Sequence, residues 1–148
     1  MKKFLSALPL LLLAGCTSSL GSSGPELQVR TEQEEYVASP ISSVSPVGFT
    51  VTNDGDESIY LPRCGEQVAV AVDRRDGGDW RQAYSGICQA IYEASPLELK
   101  PGESVRSVVS VGAAGRYRIR VRATASPGAE RFDEAVSNAF TVEYSSMG

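Results

Sequence analysis

The stretch Gly115-Arg-Tyr-Arg-Ile-Arg-Val-Arg-Ala123 decides the fold class of this chain. Its large apolar residues, Tyr117, Ile119 and Val121, alternate one for one with arginines. Successive side chains of a β-strand point to opposite faces, so this alternation predicts a strand with one buried face and one charged face.

The same two-residue period recurs on both sides of this stretch. The segments that carry it are 27–31, 47–52, 59–61, 68–72, 80–84, 105–111 and 140–144. Glycine-containing turns follow several of them, at Asn53–Asp56, Asp76–Asp79 and Lys100–Glu103. Residues 85–95 are expected to be irregular. About seven or eight short strands separated by such turns predict an all-β protein with a β-sandwich fold.

The approach to the deciding stretch, Ala114-Gly115-Arg116-Tyr117, resembles the start of strand F in immunoglobulin-like domains. The resemblance implies that Tyr117 is buried at a corner and that its hydroxyl bonds to backbone a few residues upstream. Ile119 stands where antibody domains place a cysteine. Any disulfide here is therefore expected to fasten a loop at one end of the sandwich and not to join the two sheets.

A second resemblance spans about Phe49 to Val142. It rests on turn and core motifs that occur in a fixed order: Phe49–Asn53, Gly78–Trp80, Leu99–Glu103, Gly115–Arg118 and Phe140–Val142. This order is similar to the immunoglobulin-like domains of bacterial lipoproteins and, more distantly, to the intracellular proteinase inhibitor domain of bacilli. Such motifs imply a fold and give only an analogy for activity.

The N-terminus reads as an export signal. Two lysines, Lys2 and Lys3, precede an apolar run that is shorter than the roughly 20 residues of a membrane-spanning helix. Its end, Leu13-Ala14-Gly15-Cys16, resembles the lipobox of bacterial lipoproteins, which implies cleavage before Cys16 and acylation of its sulfur by diacylglycerol and of its amino group by a chain such as palmitate. The alternative is an ordinary secretory signal that happens to contain a cysteine. We expect a signal peptide over 1–15, a lipidated Ser/Gly-rich tether over 16–25 and an immunoglobulin-like domain over 26–148.

The lipobox also implies a location in the cell envelope. Thr17 stands where inner-membrane lipoproteins of Gram-negative cells often carry aspartate. The resemblance therefore implies the periplasmic face of the outer membrane in a Gram-negative cell, and the outer face of the cell membrane in a Gram-positive one. Two or more acyl chains give stable membrane attachment, whereas one chain gives only a marginal one.

Composition excludes several functions. The chain has no histidine, so Ser-His-Asp and Cys-His catalysis and histidine-containing zinc sites are absent. Its net charge of -4 becomes -6 once Lys2 and Lys3 are removed with the signal, which argues against nucleic-acid binding. We expect neither enzymatic activity nor a cofactor.

Cysteine parity predicts one disulfide. If lipid occupies Cys16, then Cys64 and Cys88 remain in an oxidising compartment, where thiols usually pair. Two free thiols are the alternative. A metal site is disfavoured because only two sulfur ligands, and no histidine, are at hand.

Arg116, Arg118, Arg120 and Arg122 form the most conspicuous charged constellation. They should line one exposed face, about 7 Å apart. One interpretation is structural: neighbouring carboxylates, with Glu143 a candidate, offset the charge. The other is an anion-binding strip for lipid phosphates, an acidic polysaccharide or an acidic protein, since arginine binds phosphate and carboxylate bidentately.

Aromatic and acidic residues give weaker indications. Trp80 and Tyr84 lie on the same or on opposite faces depending on any bulge between them, and by ideal alternation they share a face with Gln82. We expect Trp80 to be a core residue in preference to a sugar-binding platform. Two acidic sets could ligate calcium, 54/56/57 and 73/76/79, but neither has EF-hand spacing and both suit turns. The acidic residues between 32 and 35 are expected to be solvated.

These observations favour a lipid-anchored, non-enzymatic module that binds or scaffolds. The expected partners are the membrane, through the anchor, and an unknown protein or anionic envelope polymer. A protease-inhibitor-like domain acting through an exposed loop is the alternative, and a small hydrolase is a third class that an activity screen would separate.

Overall fold

A computed structural model describes residues 26–39, 41–85 and 93–145. These residues form twelve β-strands and no helix, and none of them therefore belongs to a helix able to span a membrane. The strands are β1 Leu27–Thr31, β2 Glu35–Ala38, β3 Ser45–Asn53, β4 Ile59–Cys64, β5 Gln67–Val68, β6 Val70–Asp76, β7 Asp79–Ser85, β8 Glu93–Leu99, β9 Ser104–Val111, β10 Gly115–Ala123, β11 Asp133–Val136 and β12 Phe140–Tyr144.

The strand order is that of an immunoglobulin-like sandwich. One sheet has the order β1-β3-β9, and the other has the order β2-β12-β10-β6-β7, with β11 also paired to β10. Strands β3 and β9 thus hold the places of B and E, while β10 lies between β6 and β12 as F lies between C and G. The predicted fold class is therefore confirmed. A small third sheet, β5-β4-β8, is made from the connections.

The core lies between the two main sheets and contains the apolar residues of the predicted alternation. Tyr117, Ile119 and Val121 of β10 are fully buried, as are Phe49 and Val51 of β3. Burying each such side chain stabilises the fold by about 1.5–3 kcal/mol relative to leaving it exposed. The deciding stretch therefore anchors the second sheet to the first.

The corner predicted at Tyr117 is confirmed. The residue is 0% exposed, and its hydroxyl donates to the carbonyl oxygen of Ala113 at 2.9 Å. The ring stacks on Phe140, with centroids 5.9 Å apart. Burial, with a smaller contribution from the hydrogen bond to Tyr84, raises the pKa of Tyr117 to about 12.

The number of strands is larger than the seven or eight expected. The predicted strand over 68–72 is divided at Ala69, whose N–H donates to the carbonyl of Pro62 at 2.8 Å. Strands β2 and β11 have four residues each, too few for a clear period, and they exist because β12 and β10 supply their hydrogen bonds. Residues 93–95, predicted to be irregular, begin β8.

Candidate functional site

The outer face of β10 gains its partners from the strands on its two sides. Across one side, Arg118 lies opposite Asp73 of β6. Across the other, Arg122 lies opposite Glu134 of β11. Directly opposed side chains on one sheet face are close enough to interact, so the strand order places a carboxylate within reach of each of these two arginines.

Asp73 is the centre of this network. Its side chain is only 4% exposed and accepts hydrogen bonds from Nε of Arg118 and Nε of Arg120, each at 2.9 Å. The remaining nitrogens of Arg120 donate to Glu134, at 3.2 Å, and to Gln82, at 2.8 Å. Burial alone would lower the pKa of Arg120, but the bonds to Asp73 and Glu134 outweigh it and raise that pKa. Each guanidinium nitrogen of Arg120 therefore already donates a hydrogen bond to a neighbouring side chain.

Glu134 joins the network to the end of the strand. It accepts from Nε of Arg122 at 3.1 Å as well as from Arg120. Burial acts to raise the pKa of Glu134, but the two arginines together hold it below its ordinary value. Arg118, Arg120 and Arg122 are thus each paired with at least one carboxylate.

The expected carboxylate, Glu143, supplies none of these ion pairs. Val142 lies opposite Gly115, so Glu143 lies level with the residue before β10 begins, away from the centre of the strip. Arg116 lies nearest that end. It is exposed and forms no salt bridge within the described ranges. The four arginines therefore do not make a uniform strip.

Trp80 is not in the core, contrary to the prediction. The β6–β7 ladder shifts register between Val72 and Asp73, so that Gln82 lies opposite Asp73 while Tyr84 lies opposite Val72. This bulge puts Tyr84 against the core and leaves Trp80 on the outer face, and the shared face expected from ideal alternation is wrong. The guanidinium of Arg118 lies 4.7 Å from the centroid of the Trp80 ring. That contact stabilises a cation and occupies the surface that a sugar would need.

Two recesses meet at the far end of β10. The first, the polar recess, has a volume of about 260 Å³, and its lining includes Pro62, Gln82, Arg120, Arg122 and Glu134. The second, the apolar recess, has a volume of about 270 Å³, and its lining includes Tyr60, Pro62, Pro96, Arg122, Thr124 and Phe132. Pro62 and Arg122 line both, so Arg122 stands between them.

Arg122 is held from two sides. Its Nε donates to Glu134, and its guanidinium carbon lies 4.1 Å from the centroid of the Phe132 ring. Its side chain is nevertheless 54% exposed, and Phe132 is 49% exposed. Sequence reasoning found Arg122 but not Phe132, Pro62 or Pro96, because these come from separate strands and loops that only the fold brings together.

The recesses lie at the end of the sandwich where the described chain enters. Leu27 pairs with Asn53 at the end of β3, and the carbonyl of Glu26 accepts from the N–H of Asp54. Strand β4 follows that turn, and its Tyr60 is bridged to Thr124, just beyond β10. A tether attached before Glu26 would thus emerge near the recesses.

The described residues test only part of the cysteine and metal predictions. Cys16 and Cys88 lie outside the described residues; Cys64 ends β4 as one half of a disulfide, and its pairing with Cys88 stays a prediction. Among residues 26–39, 41–85 and 93–145, no three acidic or cysteine side chains gather as a metal site. In particular, Asp73 is bound by arginines, whereas Asp76 lies 3.9 Å from Arg81.

The other sheet has a separate arginine–carboxylate pair. Glu32, expected to be solvated, forms a bidentate ion pair with Arg106 of β9. The hydrogen bond from Arg106 lowers the pKa of Glu32. The carboxylate lies over Gly48, where a Cβ atom would collide with it, so the glycine in β3 leaves space for this pair.

No protein-family model and no curated protein matches this chain. Among solved structures, a structural-genomics target matches at 15% identity and a TM-score of 0.42, over 82% of this chain and 87% of that one. A Bordetella pertussis protein with the ApaA designation matches at 14% identity and a TM-score of 0.41, over 80% of this chain and 89% of that one. The CARDB domain of a Pyrococcus furiosus protein in complex with di-metal ions matches at 16% identity and a TM-score of 0.40, over 82% of this chain and 94% of that one. Such scores carry no argument about activity.

Proposed function

We propose that this protein is a lipid-anchored, non-catalytic binding module of the cell envelope, whose partner docks at the two recesses around Arg122. The observation that carries the proposal is the arrangement of an exposed guanidinium between a polar and an apolar recess. Exposed aromatic and arginine side chains are enriched where proteins bind partners.

Exposed apolar residues beside the recesses support this choice of surface. Phe132 and Val136 are both large and more than two-fifths exposed, and they flank Glu134 along the outer side of β11. Exposed apolar surface rimmed by polar groups is typical of interaction sites. In contrast, the outer face of the Asp73 network is occupied by its own ion pairs and by the Arg118–Trp80 contact.

The lipobox supports the envelope location, and the position of the recesses fits it. The segment 16–25 has ten residues, which span at most about 35 Å when fully extended. A partner bound at the tether end of the sandwich would then lie close to the membrane surface. We include the Cys64–Cys88 disulfide in this proposal, as a link between the end of β4 and the segment that follows β7.

Site-specific photocrosslinking in intact envelopes tests the proposal. A photoreactive amino acid at Phe132 should capture a discrete envelope component, whereas the same group at Ser110, exposed on β9 of the other sheet, should not. Equal capture from both positions, or none from Phe132, would contradict it.

The anchor is tested in parallel. Cys16→Ser should leave either an uncut precursor or a soluble protein that moves from the detergent phase to the aqueous phase on detergent partitioning, because the acyl acceptor is gone. Wild-type protein in the aqueous phase would rule out the anchor. Titration with envelope proteases then addresses the inhibitor alternative: stoichiometric inhibition would replace the binding-module proposal.

A further inference from the structure

We infer that Arg122 binds a carboxylate and that the two recesses together receive the C-terminal end of a polypeptide whose last side chain is apolar. This inference rests on the proposed function, because it names the class of partner for the same site. It goes further by assigning the charged terminus to one guanidinium and the side chain to one recess.

The guanidinium of Arg122 is preorganised for an anion. Its Nε donates to Glu134, and its planar group lies against the ring of Phe132. Its two terminal nitrogens donate to no other group in the described part of the chain. These two nitrogens form a fork that matches the two oxygens of a carboxylate. Because the side chain is already fixed, little conformational entropy is lost on binding.

The neighbouring arginines are less available to a ligand. Arg120 already donates from Nε and from both terminal nitrogens, to Asp73, Glu134 and Gln82. Arg118 is held in the same way, with its Nε on Asp73 and its guanidinium against Trp80, but its side chain is half as exposed as that of Arg122 and lines neither recess. Arg122 is therefore the member of the strip that combines a fixed position and an open donor edge with a place in both recesses.

The apolar recess sets the size of the group beside the carboxylate. Its walls are the side chains of Tyr60, Pro62, Pro96 and Phe132. At about 270 Å³ it is smaller than the 300–1,000 Å³ usual for small-molecule sites. A single apolar side chain next to the anion suits a recess of that size.

The polar recess favours a polypeptide over other amphiphilic anions. Gln82 uses its oxygen on Arg120, which leaves its amide nitrogen as a donor, and Glu134 offers carboxylate oxygens as acceptors. A peptide backbone presents both a carbonyl and an N–H to such groups. A lipid headgroup at a flat membrane reaches residues that protrude, whereas Arg122 lies between two concavities.

Fluorescence polarisation on the purified full-length lipoprotein in mild detergent tests the inference. The probe is a fluorescein-labelled hexapeptide ending in Gly-Ser-Leu with a free carboxylate, compared with its C-terminal amide and with a version ending in serine. We expect the free acid ending in leucine to bind at least about tenfold more tightly than either, since the fork or the apolar contact is lost in each.

Two variants locate the site. Arg122→Lys keeps the charge but loses the fork, and should weaken binding of the free acid about tenfold while leaving the amide unchanged. Arg116→Lys is the matched control, because it makes the same change on the same strand at an exposed arginine outside both recesses. It should leave binding unchanged. A thermal melt of each variant checks that the fold is retained.

Several results would overturn the inference. They are equal binding of acid and amide, no binding of the free acid, an equal effect of both lysine variants, or full displacement of the peptide by phosphatidylglycerol added to the micelles. If Phe132 still captures a component in envelopes, the proposed function survives such a result and only the terminal-carboxylate assignment fails. Loss of both would overturn both.

Discussion

The two faces of β10 are stabilised by different kinds of interaction. On the inner face, Tyr117, Ile119 and Val121 are fully buried among apolar neighbours, and apart from the hydrogen bond of the Tyr117 hydroxyl their contribution is undirected. On the outer face, arginines are fixed by directed bonds to only two carboxylates, Asp73 and Glu134. The inner face depends mainly on the shape and apolar character of its residues, whereas the outer face depends on a few atoms that come from other strands.

Burial decides how much each carboxylate contributes. The side chain of Asp73 is 4% exposed, whereas that of Glu32, in the ion pair with Arg106, is 36% exposed. Water and salt weaken an exposed pair, but a buried carboxylate left without its partner, or a buried arginine without its carboxylate, has lost its hydration as well. The same pair of residue types therefore has different consequences on the two sheets.

The inner face should give the largest loss of stability. Tyr117→Ala should lower the free energy of unfolding by about 3–5 kcal/mol, because a large buried ring leaves a cavity. Tyr117→Phe should cost only about 1 kcal/mol, since it removes the hydrogen bond to Ala113 and keeps the ring. Denaturant unfolding measures both. An alanine variant with the wild-type midpoint would contradict the corner.

The centre of the outer face should come next. Asp73→Ala should cost roughly 3 kcal/mol, at the lower end of the range for a broken buried pair, because Arg118 and Arg120 lose their shared acceptor. Asp76→Ala is the control: its contact with Arg81 is long and well exposed, and its effect should stay within about 0.5 kcal/mol. Equal losses in the two variants would mean that burial does not distinguish these carboxylates.

The rim of the outer face should give a smaller effect that depends on pH. Because the folded-state pKa of Glu134 lies below its ordinary value of 4.5, its ionised form stabilises the fold above that value. This contribution is lost as pH falls through the lowered folded-state pKa. Glu134→Gln should therefore be less stable than wild type at about pH 7, and the difference should shrink below about pH 4.5.

Denaturant midpoints measured from about pH 7 to about pH 3 check this. Glu66→Gln removes a carboxylate that is exposed and forms no salt bridge with any described residue, so it serves as the charge-matched control. A stability difference for Glu134→Gln that is independent of pH would show that the contact with Arg120 and Arg122 is not electrostatic.

Local chemistry explains which features were predictable. The turn at Asp76–Asp79 places glycines at positive φ, with Gly77 at 58° and Gly78 at 102°, and the sequence shows those glycines directly. Tyr117 was predictable because its corner needs only the preceding few residues. The bulge that separates Trp80 from Tyr84 was not, since it depends on how β7 pairs with β6 and leaves no mark in the period itself.

The sequence by itself determined the all-β class and the inward residues of β10, and it predicts the export signal, because each depends on residue type or on spacing within one segment. The tertiary structure decided which carboxylates meet the arginines, which of the paired arginines lies between the two recesses, and where Phe132 and the prolines form a recess with it. Those relations join strands far apart in the chain. They are fixed by strand order and register, which many sequences with the same alternation could satisfy differently.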